Sequence, residues 1–169
     1  FALLKTGAEV VLIDPGIDRQ HLVNCLSEAQ PDGFLGIAKA HVIRRLLFRK
    51  FPHAKLNVTV GLGAGLAKCL LMPRSLESVE ADGRKLELSL PLRRRSDPAA
   101  IIFTTGSTGP PKGVAYTHGM FHAQVRALKA LYSFQPGEID LACFPLFALF
   151  DIAFGMTSVF PDMDPTKPA

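Results

Sequence analysis

A glycine- and hydroxyl-rich loop from residue 104 to residue 113 has the composition best suited to chemistry in this sequence. The residues concerned are Thr104, Thr105, Gly106, Ser107, Thr108, Gly109, Lys112 and Gly113. Glycines let backbone N–H groups approach phosphate oxygens closely, hydroxyls donate further hydrogen bonds, and a lysine ammonium neutralises negative charge. Hydrogen bonds to charged groups contribute about 1.5–3 kcal/mol each, so several together could hold a nucleotide. The loop therefore predicts a polyphosphate site.

Three other interpretations of this loop fit the sequence less well. It is not a Walker-type P-loop, because Lys112 lies between Pro111 and Gly113 instead of between Gly and Ser or Thr. A plain flexible turn would also be rich in Gly, Ser and Thr, but the loop directly follows an apolar run at 99–103, which favours a phosphate site. Ser107 lacks the Gly-x-Ser-x-Gly setting of a hydrolase nucleophile.

Residues 103–113 resemble the phosphate-binding signature of the adenylate-forming superfamily, which includes acyl-CoA synthetases, luciferases and peptide-synthetase adenylation domains. Thr105 stands where that family usually has serine, and the exchange keeps a hydroxyl. The resemblance implies binding of ATP and Mg²⁺, with Thr108 as a magnesium ligand and with Thr108 and Lys112 as catalytic residues. It also implies that a carboxylate attacks the α-phosphate, which gives an acyl-adenylate and pyrophosphate.

Four further segments are similar to the olefin-pathway β-lactone synthetases, long labelled fatty-acid CoA ligases: residues 11–16, 31–37, 144–151 and 157–169. This resemblance implies that a long-chain β-hydroxy acid is activated and that its own hydroxyl then displaces AMP. Ala148 stands where acyl-CoA synthetases often carry histidine, which favours lactone closure over thioester formation. Two alternatives stay open, a long-chain acyl-CoA synthetase and a truncated, non-catalytic nucleotide-binding module.

The substrate residues implied by the resemblance are Phe147, Ala148, Phe150 and Asp151. Asp151 could lie near the substrate carboxyl or hydroxyl, or it could cap a helix. Phe147 and Phe150 could line an acyl tunnel or pack in the core. The sequence leaves both pairs of interpretations open.

Hydrophobic periodicity predicts alternating strands and helices. Strands are expected at 10–13, 34–37, 56–60, 99–103, 113–116 and 141–144, and helices after Asp18, at 42–51, after Thr117 and from Asp151. This alternation predicts an α/β fold with parallel sheet layers flanked by helices. With the resemblance, it indicates a partial AMP-binding domain over residues 1–169, the partial large N-terminal domain of an adenylate-forming enzyme without its C-terminal lid.

The same periodicity assigns an inward face to each predicted helix. The inward residues are Leu22, Cys25, Leu26 and Ala29 in the first, Ile43, Leu46, Leu47 and Phe51 in the second, and Phe121, Val125, Leu128 and Tyr132 in the third. Lys39 and His41 are predicted to form a surface turn. Residues 61–97 are predicted to be a variable connection with a hairpin around Asp82 and Gly83.

Composition and charge exclude several classes of protein. Hydrophobic residues make up 48% and charged residues 20%, which is typical of a globular chain. The net charge is +4, but no aromatic residues interleave with the basic clusters at 44–50 and 93–95, so we expect no nucleic-acid partner. No apolar run is long enough to span a membrane. The resemblance to the β-lactone synthetases implies a fatty-acid substrate and other enzymes of a hydrocarbon pathway as partners.

Three separate cysteines form neither a disulfide framework nor a zinc site, and a reducing cytoplasm fits them best. Cys25 and Cys143 are predicted to be buried. His118 and His122 have the spacing of a metal pair, but without a glutamate at position 119 we expect no zinc-protease site. His118 is instead expected to pack near the nucleotide loop.

Overall fold

The computed structural model describes residues 2–13, 16–62, 73–87, 89–104, 110–143 and 148–163. Its helices are α1 (Ala2–Thr6), α2 (Arg19–Ala29), α3 (Ala38–Leu46), α4 (Leu76–Gly83), α5 (His118–Tyr132) and α6 (Ala148–Phe154), with a 3₁₀ turn at Phe48–Lys50. Its strands are β1 (Val10–Leu12), β2 (Gly33–Ile37), β3 (Leu56–Val60), β4 (Arg74–Ser75), β5 (Pro98–Thr104), β6 (Lys112–Thr117), β7 (Ile139–Leu141) and β8 (Thr157–Val159).

The chain forms two compact units. The first comprises Phe1–Gly16, Pro91–Ile102 and Val114–Ala169, and the second comprises Ile17–Leu90 and Phe103–Gly113. One sheet has the order β1-β5-β6, another β2-β3-β4, and a third pairs β7 with β8. The pairs β1–β5, β2–β3, β3–β4 and β7–β8 are parallel. The prediction of an α/β fold with parallel sheets and flanking helices is therefore confirmed.

Helix α2 begins where the sequence predicts. The Asp18 carboxylate accepts hydrogen bonds from the backbone N–H groups of Gln20 (2.9 Å) and His21 (3.3 Å), which satisfies two of the four donors left free at a helix start. Cys25 on the inward face of α2 is buried, as expected. Burial raises the pKa of the Cys25 thiol, and the nearby Glu28 carboxylate raises this pKa further.

Helix α3 differs from its prediction in both extent and orientation. It starts at Ala38 and not at Val42, because β2 runs directly into it and its N-cap, Ile37, makes no side-chain cap hydrogen bond that the sequence could reveal. The inward face was predicted wrongly for Ile43 and Leu46, which are 40% and 77% exposed. Phe51, 7% exposed after the 3₁₀ turn, is buried as predicted.

The predicted surface turn at Lys39 and His41 is wrong, because both residues lie in α3. Lys39 is exposed, whereas His41 lies on the inward side of the helix. His41 is 2% exposed, and its Nε2 donates to the carbonyl oxygen of Val58 in β3 at 2.9 Å. Its Nδ1 is buried and has no hydrogen-bond partner within the described ranges. A histidine therefore connects α3 to the sheet where an apolar side chain would be expected.

The hairpin predicted around Asp82 and Gly83 is wrong, because both residues lie in α4. The Ser75 hydroxyl caps this helix by accepting from the N–H of Ser78 at 3.3 Å. Asp82 forms an ion pair with Arg74, just before the helix. Local capping thus outweighs the turn preference of the Asp-Gly pair.

In the first unit, β5 supplies the best-buried part of the sheet. Val10, Val11 and Leu12 of β1 pair with Ala100, Ile101 and Ile102 of β5. Ala99 and Ala100 are 0% and 1% exposed, which agrees with the predicted buried strand. After β6, the Thr117 hydroxyl accepts from the N–H of Met120 at 3.3 Å and caps α5, as predicted.

Arg93 connects the basic stretch before β5 to the end of α1. Its Nη2 donates to the carbonyl oxygen of Thr6 at 2.8 Å. Gly7, with φ of +79°, leaves the space that the guanidinium fills, since a Cβ atom there would lie 1.7 Å from Arg93 Cζ. The Arg93 guanidinium is therefore held against Thr6 and Gly7 at the end of α1.

Two further findings concern the exposure of Cys143 and the length and apolarity of the helices. Cys143 is exposed, so its predicted burial is wrong. Among the described residues, no helix is both long enough and apolar enough to cross a bilayer.

Candidate functional site

The flanks of the predicted phosphate loop lie at the ends of two neighbouring strands. Thr104 is the last residue of β5, and Lys112 and Gly113 are the first two residues of β6. All three are exposed. The remaining loop residues of the prediction, Thr105, Gly106, Ser107, Thr108 and Gly109, lie outside the described residues.

Strand β5 anchors the start of this loop. It lies between β1 and β6 in its sheet, and Ala99, Ala100 and Phe103 are all buried. Thr104 follows this buried segment and reaches solvent at the carboxyl end of the strand. Open α/β sheets commonly bind ligands beyond the carboxyl ends of their strands. The fold thus places the start of the loop where a nucleotide could approach.

The Lys112 ammonium is available to an anion. The side chain is exposed, and no carboxylate lies within 4.0 Å of it in the part of the chain that the structure describes. A compact ammonium of this kind can contact a phosphate oxygen.

The second predicted region lies in a β–α–β unit formed by β7, α6 and β8. The two strands pair in parallel from Ile139↔Thr157 to Leu141↔Val159. Ala148 is the first residue of α6 and is buried, whereas Phe147 lies outside the described residues. Gly155 ends the helix with φ of +78°, a conformation that glycine adopts without strain. This unit brings Ala148, Phe150 and Asp151 onto one short helix.

Asp151 is buried in the first turn of α6 and does not cap the helix. Only 6% of it is exposed. Its Oδ2 accepts a hydrogen bond from the Ser158 hydroxyl of β8 at 2.6 Å. The capping interpretation is therefore wrong, while the substrate-binding role of Asp151 stays a prediction.

Phe150 belongs to a row of aromatic rings in the first unit. Its ring stacks on Phe154 with centroids 6.5 Å apart, and Phe154 contacts Phe134 at 4.9 Å. Phe134 in turn stacks on Tyr132 at 5.4 Å. These distances are typical of favourable aromatic pairs. The contacts account for the packing of Phe150, and its role in an acyl tunnel stays a prediction.

His118 starts α5, and its backbone N–H donates to the carbonyl oxygen of Asp97 at 3.1 Å. Its Nε2 is buried and lacks a hydrogen-bond partner in the described ranges. Those ranges also contain no group of three or more His, Cys, Asp or Glu side chains able to hold a metal ion. The proximity of His118 to the nucleotide loop stays a prediction.

Sequence reasoning missed Ser158, the hydrogen-bond partner of Asp151. It is the central residue of the three-residue strand β8 and is half-buried between exposed neighbours. A polar residue between Thr157 and Val159 gives no pattern that would indicate an inward hydroxyl. The contact becomes apparent only in the structure, where the β–α–β connection brings Ser158 of β8 next to Asp151 of α6.

A family model described as "AMP-binding enzyme" matches residues 1–166. Two olefin beta-lactone synthetases, one from Xanthomonas campestris pv. campestris and one from Stenotrophomonas maltophilia, are each 50% identical to the chain over all 169 residues. The match covers 29% of the first protein and 30% of the second. The chain thus spans less than a third of the length of these curated relatives.

Among solved structures, the adenylation domain of a carboxylate reductase from Mycobacterium chelonae matches with a TM-score of 0.70. It is 19% identical, and the match covers 96% of this chain and 29% of that chain. At this identity the likeness concerns the fold, which agrees with the architecture expected from the sequence.

Proposed function

Since the chain belongs to the family of AMP-binding enzymes, we propose that it carries the nucleotide-binding part of a β-lactone-forming synthetase. The enzyme would use ATP to activate a long-chain β-hydroxy acid. The observation that carries this proposal is the 50% identity to two olefin beta-lactone synthetases over the entire chain.

In the first step, a carboxylate oxygen of the acid attacks the α-phosphorus of ATP. The bond to the bridging oxygen breaks, pyrophosphate leaves and an acyl-adenylate forms. We propose that residues from Thr104 to Thr108 bind the β- and γ-phosphates through backbone N–H groups and hydroxyls, with the glycines at 106 and 109 allowing close approach. Lys112 would stabilise the negative charge that develops on the leaving pyrophosphate. The exposure of Thr104 and Lys112 supports these roles.

Magnesium binding would fall to the Thr108 hydroxyl together with phosphate oxygens of the nucleotide. Oxygen donors of this type suit Mg²⁺, which is usually held by a few protein oxygens plus substrate phosphates. The bound ion would supply charge neutralisation at the phosphates.

In the second step, the β-hydroxyl oxygen of the substrate attacks the acyl carbonyl carbon. The carbon–oxygen bond to AMP breaks and AMP leaves with the electron pair, the hydroxyl proton passes to solvent, and a four-membered lactone forms. We propose that Asp151 orients this hydroxyl. Its Oδ2 is occupied by Ser158, while its Oδ1 has no hydrogen-bond partner among the described residues and could accept from the substrate.

The acyl chain would contact Phe147 and Phe150, with Ala148 leaving room where a larger side chain would project. Phe150 already lies in a row of aromatic rings, which supports an apolar setting for an alkyl chain. By the same resemblance we propose a cytoplasmic enzyme that works beside other enzymes of a hydrocarbon pathway.

The test is AMP release by the full-length protein from ATP and a long-chain 3-hydroxy acid, with and without coenzyme A. The proposal predicts AMP and a β-lactone without coenzyme A, and no lactone from the matching acid that lacks the 3-hydroxyl. Turnover only with coenzyme A would instead identify an acyl-CoA synthetase. ATP binding without any acid-dependent AMP would identify a non-catalytic nucleotide-binding module.

A further inference from the structure

The positive charge of the chain is concentrated in one segment. No acidic residue occurs between Asp32 and Glu77, whereas eight of the nineteen basic residues do. They are Lys39, Arg44, Arg45, Arg49, Lys50, Lys55, Lys68 and Arg74. The rest of the chain has eleven basic residues against fifteen acidic ones, so its formal charge is negative. This segment, which lies in the second unit, is where an anionic partner would be attracted.

Within this segment, α3 and the following 3₁₀ turn expose apolar side chains next to cations. Val42 is 45% exposed, Leu46 77% and Phe48 63%. Lys39, Arg45 and Arg49 are also exposed, and the Arg49 guanidinium lies 5.9 Å from the centre of the Phe48 ring. We call these six residues the basic apolar surface. Lys39, Val42 and Leu46 share one face of the helix by their spacing.

The inward side of α3 explains why apolar residues point outward. Its inner positions are taken by buried His41 and by half-buried Arg44 and Leu47. The orientation that lets His41 reach the Val58 carbonyl therefore turns Val42 and Leu46 to solvent. A cluster of exposed apolar residues of this kind marks an interaction site more often than does a single exposed leucine.

We propose that the basic apolar surface docks onto an anionic phospholipid bilayer. Leu46, Phe48 and Val42 would enter the boundary between headgroups and acyl chains, and Arg45, Arg49 and Lys39 would contact the anionic headgroups. The helix lies on the bilayer and does not cross it. A nucleic acid would engage the arginines but would leave Leu46 in water, so the apolar side chains favour lipid. This inference does not rest on the proposed function.

The experiment is flotation of the full-length protein with lipid vesicles of two compositions. One is phosphatidylcholine alone, and the other contains about one third phosphatidylglycerol, because anionic lipid attracts a basic surface. We expect binding only to the anionic vesicles, and weaker binding as salt is added. Failure to bind the anionic vesicles would overturn the proposal, as would equal binding to both compositions.

Matched variants distinguish vesicle binding through the basic apolar surface from nonspecific adsorption of the protein to lipid. Leu46→Gln is compared with Leu131→Gln, because both leucines lie near the end of a helix and are 77% and 72% exposed. Arg45→Gln is compared with Arg126→Gln, since both arginines are exposed on helices. We expect Leu46→Gln to weaken vesicle binding about tenfold and Arg45→Gln about fivefold, with both controls near wild type.

Two results would contradict this assignment. If Leu131→Gln weakened binding as much as Leu46→Gln, the apolar contact would not be specific to α3. If the chain bound duplex DNA with a dependence on Arg45 but not on Leu46, and vesicles did not compete, the surface would bind nucleic acid. Thermal unfolding of each variant confirms that the substituted chains remain folded.

Discussion

Ser158 fixes the buried carboxylate of Asp151, with its hydroxyl oxygen 2.6 Å from Asp151 Oδ2. The bond joins β8 to α6 within the first unit and holds one carboxylate oxygen in place. We predict that Ser158→Ala lowers the free energy of unfolding by about 1–3 kcal/mol, because it leaves a buried carboxyl oxygen without its hydrogen-bond donor. Urea titration measures this change.

The control for that prediction is Ser89→Ala, at an exposed serine, which should alter the free energy of unfolding by less than about 0.5 kcal/mol. Asp151→Asn keeps an oxygen that can accept from Ser158, so it should stay close to wild type in stability. If Ser158→Ala were as stable as Ser89→Ala, the hydrogen bond would contribute nothing to folding.

Gly7 and Arg93 give a second prediction about stability. Gly7→Ala should cost about 1–2 kcal/mol for a positive φ and about 1 kcal/mol more for the lost Arg93 bond to Thr6. Gly137→Ala is the matched control, since Gly137 has φ of +91° but nothing within 4 Å of the added Cβ. Thermal or urea unfolding compares the two.

A double-substitution cycle isolates the contact. In an Arg93→Ala background, Gly7→Ala and Gly137→Ala should have nearly equal costs, because no guanidinium remains to be displaced. A difference that persisted in this background would show that Arg93 is not the cause.

The buried histidine of α3 leads to a third prediction. His41→Ala should lower the free energy of unfolding by about 2–4 kcal/mol, because it removes a buried ring and its hydrogen bond to Val58. His53→Ala, at an exposed histidine in a turn, should change little. Equal effects of the two substitutions would contradict the buried position of His41.

Cysteine reactivity gives a fourth prediction. The thiolate is the reactive form, and the raised pKa of Cys25 leaves less of it at any given pH. In a Cys69→Ser variant, a maleimide should therefore modify exposed Cys143 quickly and Cys25 only after unfolding. Mass spectrometry of the labelled peptides distinguishes the two sites, and equal rates in the native state would refute the burial of Cys25.

The sequence predicted those elements that carry local signals. Asp18 and Thr117 have the side chains that cap helices, and α2 and α5 begin beside them. The uninterrupted apolar run at 99–103 indicates a buried strand, and β5 is that strand. Parallel pairing followed from the alternation of strands and helices.

The prediction failed where tertiary contacts override local preference. Helix α3 has no side-chain cap, so its start could not be read, and its inner face holds His41 in place of a larger apolar residue. Asp82 and Gly83 favour a turn in isolation, yet the Ser75 cap and the Arg74 ion pair place them in α4. The contact between Asp151 and Ser158 depends on the parallel pairing of β8 with β7, which places Ser158 beside α6. No short sequence pattern indicates this placement.

The central claim is that this chain supplies the phosphate-binding loop of an adenylating enzyme, and acid-dependent exchange of pyrophosphate into ATP tests it most directly. In the full-length protein, Lys112→Ala should slow this exchange by about a hundredfold or more, because charge on the leaving pyrophosphate loses its stabilisation. Lys129→Ala, at another exposed lysine, should leave the exchange unchanged. Wild-type exchange rates in Lys112→Ala would contradict the account.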